Sequence, residues 1–300
     1  MIRAKFFTRT ALGLALAVGV AAGSATPVLA KDKQPKKEAV KEAKLAPSKA
    51  FIPVYVAAKA AIEAAGKRAD VIAARQAAAD AQTALKSAQG KKAQADARAR
   101  YDAAAAAVGP LLTAEKVAVE KTVTVATNID DKFLSGQLLL SLGTMAIDLS
   151  MQRRGIQQQL DSGKIPAVDK PKYLMVLGNL SMDLKDFVGA RAAFQAASNA
   201  GAAPSEALIN LADAYIKDNQ TAAGLKVLQT AVVQSGAAAP EGWMRYGIAT
   251  AYRSSCPTKR RCSPTSWSAC IRPRKTGRWR LPWCAISMAT RDTISLICCG

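Results

Sequence analysis

The stretch LGNLSMDLKDFVGARAAFQAA, residues 177–197, returns in altered form as LADAYIKDNQTAAGLKVLQTA at 211–231. Leu177 aligns with Leu211, Gly178 with Ala212, Ala190 with Gly224, Phe194 with Leu228 and Ala197 with Ala231, every offset being 34 residues. Small residues at 178, 190, 197, 212, 224 and 231 let two helices approach closely. Leu177, Phe194, Leu211 and Leu228 fill the space between them. A fixed period of this length, with a helix, turn and helix in each copy, predicts stacked helical hairpins that share a core. A third copy opens at Pro240 with GWMRYGIATAY (242–252).

The two copies resemble the tetratricopeptide repeat family, whose consensus L-G-x2-Y is followed by A-x3-F-x2-A. Leu211, Ala212 and Tyr215 match the first part, and Ala190, Phe194 and Ala197 the second. Ser181 stands where the family has tyrosine, and the family's proline is displaced to Pro204 and Pro240. The resemblance covers about 65 residues well. It implies an all-α chain with a short solenoid over 170–255, its third repeat opened by Trp243, Tyr246 and Gly247 and left truncated. Such solenoids hold a peptide or protein on the concave face lined by their first helices. Asn179 and Met182 in one repeat, and Asp213 and Ile216 in the next, are expected to face that groove, with Asn210 a further polar candidate. These residues do not resemble a lysine-and-asparagine clamp for a carboxyl terminus. A repeat opening at Trp243 also requires a second helix near residue 256, because its apolar face is otherwise bare.

Upstream of the repeats, DKFLSGQLLLSLGTMAIDLSMQRRGIQQQLDSG (131–163) carries leucine and isoleucine at helical spacing. It predicts two antiparallel helices that break near Gly143 and end at Gly163, with Pro166 blocking continuation. Residues 111–169 resemble the repeats only in outline. Residues 51–110 are alanine-rich, and alanine has the highest helix propensity, so long helices are expected there. Val71, Ile72 and Leu85 give only a thin apolar stripe, which predicts a marginal hairpin broken at Gly90 and at Gly109-Pro110. Residues 31–50 hold seven lysines against three acids and few large apolar side chains, the composition of a mobile leader whose charge suits anionic lipid or wall polymer. Arg3, Lys5 and Arg9, the apolar run 11–22 and PVLA (27–30) read as a secretory signal peptide cleaved after Ala30. An uncleaved anchor is the alternative, but the apolar run is short for a membrane span. A periplasmic address follows, and the whole resembles the exported tetratricopeptide proteins of alphaproteobacteria.

The net charge of +20 is unevenly spread. The signal, the leader and residues 256–300 carry most of it, leaving +5 for 51–255, so no nucleic-acid partner is expected of the folded body. Residues 256–300 hold all six cysteines and three of the four tryptophans. Their cysteine spacing lacks C-x2-C, and the chain has no histidine, which disfavours a metal site. A disulfide framework and a basic-aromatic nucleic-acid arm are weaker alternatives to a frameshift. Cysteine and tryptophan codons both begin TG. Read one nucleotide earlier, the nine such codons of the tail encode only Leu, Val or Met, at 256, 262, 267, 270, 279, 283, 284, 298 and 299. Steps of three, four and five among these positions are close to helical spacing.

Residues 31–255 contain neither histidine nor cysteine, the commonest general base and nucleophile, and no phosphate loop or nucleophile elbow. The expectation is a non-enzymatic binding module without cofactor. The alternative is an envelope structural protein tethered through its Lys/Ala-rich N-terminal helices.

Overall fold

In the computed structural model residues 45–201 and 204–255 are described. The expected signal peptide, most of the leader and the tail 256–300 lie outside them. Among the described residues the chain is all-α, with eleven α-helices, one short 3-10 turn and no strand. It divides into two compact units: residues up to 135 together with 145–147, and residues 136–144 together with those from 148 on.

The first unit is a broken helical hairpin. Helix α1 (Phe51–Ala65) packs on α4 (Thr113–Val125), and α2 (Ala69–Ser87) on α3 (Lys91–Leu111). Gly90 makes the expected turn at φ 90°, a left-handed conformation that glycine adopts without a Cβ clash. The second expected break falls later than its sequence signal. Pro110 sits within the last turn of α3, and the helix ends only at Leu111, capped by the fully buried Leu112. The other arm breaks after Ala65 at Gly66, a break that was not expected. Arg68 joins the two breaks. It donates to the Leu111 carbonyl at 3.0 Å, one of the acceptors a helix end leaves free, pairs with Asp70 at 2.6 Å, and reaches the buried Glu115 at 3.4 Å.

The end of the leader is tied down, contrary to the expectation of mobility through residue 50. Asn128 and Asp131 cap α5 (Ile129–Met145) reciprocally: Asp131 N–H donates to Asn128 Oδ1 at 2.8 Å, and Asn128 N–H reaches Asp131 Oδ2 at 3.4 Å. The same carboxylate accepts from Ser48 N–H and Ser48 Oγ, both at 2.8 Å. Ala46 N–H donates to Asp130 at 3.0 Å. The helix cap thus doubles as an anchor for residues 46–48.

The second unit places each helix against its neighbour in the chain: α6 (Leu149–Asp161), α7 (Lys170–Asp183), α8 (Phe187–Asn199), α9 (Pro204–Lys217), α10 (Thr221–Ser235) and α11 (Glu241–Ser255). The α5–α6 pair matches the two antiparallel helices expected, with Gly163 at φ 68° just past the second. Gly143, however, lies inside α5 as a close-approach position, 2.7 Å from Gln152 N for a Cβ, and the break comes later, at 146–148. Glycines set their crossing. A Cβ on Gly155 would lie 2.6 Å from Leu140 N, and one on Gly136 would lie 2.9 Å from Gly155 O. Within α7–α8 the ring of Phe194 occupies the space a Cβ on Gly178 would need, and in α9–α10 a Cβ on Gly224 would lie 2.8 Å from Ala212 O. Leu177, Ala190, Phe194, Ala197, Leu211, Ala212, Leu228 and Ala231 are buried, as are Gly178 and Gly224. Tyr215 is half-buried.

Candidate docking face

Three hairpins share one turn. The links α5–α6, α7–α8 and α9–α10 are each three residues long: 146–148, 184–186 and 218–220. In each, the middle residue is left-handed without being glycine: Ile147 at φ 56°, Lys185 at 61° and Asn219 at 61°. In each, the next N–H bonds the carbonyl five residues back: Asp148 to Gly143 at 2.8 Å, Asp186 to Ser181 at 2.9 Å and Gln220 to Tyr215 at 2.8 Å. This bond closes the C-terminus of the first helix. In two of the three, the same residue then caps the second helix, Asp148 accepting from Met151 N–H and Asp186 from Gly189 N–H. The turn therefore fixes both helix ends at once and sets the angle at which the second helix returns.

Arginine latches join successive hairpins. Arg153 and Arg191 each lie five residues past the cap of their second helix. Arg153 pairs with Asp186 at 2.8 Å, and Arg191 pairs with Asp218, which also accepts from Gln220 Nε2 at 2.8 Å. The Arg191 guanidinium stands 5.0 Å over the Tyr215 ring, so one cation is held by a carboxylate and an aromatic face together. Leu225 takes the corresponding place on α10 and packs into the core instead. Beyond it the link changes: Tyr246 on α11 donates to Asp213 on α9 at 2.8 Å, and Lys217 pairs with the same carboxylate at 2.8 Å.

The five groove candidates separate. Asn179 on α7 is exposed, and Asn210 on α9 is half-buried. Asp213 is half-buried and holds Tyr246 and Lys217. Met182 does not face a groove. It is 4% exposed and belongs to the core formed with Phe194, Leu208 and Leu211, because its turn of α7 rotates it under α9. Ile216 is half-buried, and its side chain fills the space where a Cβ on Gly224 would stand, so it serves the α9–α10 contact. Asn179, Asn210 and Asp213, with Lys217 and Tyr246, are among the polar groups that the first helices carry. On the same helices, burial pushes the Tyr173 phenol up, and Asp169 adds to the shift.

The sequence reading missed the latches and the Asp213–Tyr246 bond, because each joins residues 27 to 33 positions apart in different helices. The Arg-to-Asp pairing was nevertheless detectable in principle, since both arginines hold the same register after their caps. Chemically the face offers hydrogen-bond donors, acceptors and both charge signs, which suits an extended peptide. Among the described residues no group of His, Cys, Asp and Glu is arranged to hold a metal ion, and no helix is long and apolar enough to cross a membrane. The chain matches no family model, no curated protein and no solved structure.

Proposed function

We propose that the protein is an exported, non-enzymatic binding module of the tetratricopeptide type, acting in the periplasm after cleavage at Ala30. It holds an extended protein or peptide segment across the first helices α7, α9 and α11. The observation that carries the reading is the turn repeated in three hairpins, with a left-handed middle residue and the same closing bond each time. A turn conserved in geometry while its residues differ supports stacking of equivalent units, and stacked units present their first helices side by side. Asn179, Asn210 and Asp213 then lie on one face, where they contact the main chain of the bound segment.

A photo-cross-linking residue placed at position 179 or 210 tests this in cells. Adducts with an envelope protein are expected there and absent from position 192 on α8, which is exposed on a second helix. Equal labelling at 179 and 192 removes the docking face.

A second reading has one observation in its favour. Lys86, Lys91 and Lys92 surround the Gly90 turn, all exposed, with no acid between residues 81 and 95. Near an anionic surface each such cation is worth about 1 kcal/mol. An envelope tether through this end of the hairpin predicts co-sedimentation with anionic vesicles or cell wall that is lost when the three lysines become glutamine.

A further inference from the structure

Helix α11 is packed on one side only. On α9, which lies between α8 and α10, Leu208, Ile209, Leu211, Ala212 and Ala214 are 0–7% exposed. On α11, which packs on α10, the corresponding run of Trp243, Met244, Tyr246, Gly247 and Ile248 is only half-buried, and Ala249 is exposed. Trp243 and Tyr246 contribute to the core below, but the helix has no second helix returning over it among the described residues. In the three preceding hairpins such a helix follows after three residues.

We propose that the occupant of this open face is a helix encoded by this gene one nucleotide out of the printed frame, beginning just past Ser255. Two observations select this occupant over a second copy of the chain or the printed tail. The first is place: the compositional break at Cys256 falls where the linker to the returning helix belongs. The second is chemistry. The printed residues 256–300 carry nine basic side chains and one acid, and between 256 and 280 Ala269 and Ile271 are the only aliphatic residues. The shifted frame forces nine Leu, Val or Met residues instead.

The third hairpin is offset from the second by 35 residues, Leu208, Leu211 and Ala212 matching Trp243, Tyr246 and Gly247, whereas a 34-residue step from Leu211 falls on the exposed Arg245. The occupant is therefore set by place and side-chain chemistry, and the shifted chain closes the third hairpin. This inference does not depend on what the first helices bind, so failure of the cross-linking experiment leaves it standing.

The test is resequencing of the gene from codon 240 onward, together with tryptic peptide mapping of the protein purified from its source. A single-nucleotide difference near codon 256 is expected, with peptides beyond Arg253 that match the shifted frame. Recovery of the printed peptide LPWCAISMATR (281–291) overturns the proposal. A melting comparison tests the docking half separately. The shifted chain is expected to melt several degrees above the printed one, and equal melting temperatures overturn docking even if the gene carries the shift.

Discussion

Asp131 shows how much one side chain settles. Its carboxylate is buried, caps α5 and receives Ser48, Thr127 and Asn128. Burial pushes its pKa up, but the hydrogen bonds from Ser48, Thr127 and Asn128 outweigh this and hold it below the usual carboxylate value of 3.8. A depressed folded pKa stabilises the protein above the unfolded value. That contribution is lost as the pH falls through and below the ordinary carboxylate range. Release of residues 46–48 is therefore expected in acid, read as loss of amide protection at Ser48. Asp131→Asn is expected to cost on the order of 2 kcal/mol at neutral pH and to flatten this acid limb, because an amide nitrogen then confronts N–H donors. An unchanged acid limb in urea titrations would refute the assignment. None of this was legible in sequence: Ser48 and Asp131 are 83 positions apart, and a leader rich in lysine reads as unstructured.

At the scale of the element, close helix approach leaves its mark on the sequence, and turn geometry does not. Gly155, Gly178 and Gly224 are small because backbone or an aromatic ring occupies the place of a Cβ, so the 34-residue period could be read directly. The turns that orient those helices carry Ile147, Lys185 and Asn219 in a left-handed conformation, and only asparagine is a customary signal for it. The shared link was visible only in three dimensions, as was the rotation that buries Met182. Gly155→Ala brings a methyl within 2.6 Å of Leu140 N and 2.7 Å of Gly136 O, both main-chain atoms that cannot rotate away. A loss of about 3 kcal/mol is expected in urea unfolding, at the upper end for overpacked cores. A loss under a few tenths would mean that α5 and α6 cross elsewhere.

Across the whole molecule the apolar content is unequally placed. The sequence showed this coarsely, as an alanine-rich half followed by a leucine-rich one. In α2 and α3 only Val71, Ala78, Ala97 and Val108 are buried, whereas α7 alone buries Leu174, Leu177, Leu180 and Met182. Alanine methyls bring little area out of water, at roughly 25 cal/mol per Å². Amides of α2 and α3 are expected to exchange with solvent well before those of α7 to α10, and comparable protection in the two sets would contradict the packing described. The same imbalance gives Arg68 a mechanical meaning. Helix α2 has 19 residues and extends about 28 Å beyond the joint where Arg68 ties Leu111 to Glu115. A sideways push at the Gly90 turn acts through that whole lever arm on a joint held by a few polar bonds. Torque applied at the tip is spent at Arg68, and the hairpin bends there before either of its arms unwinds.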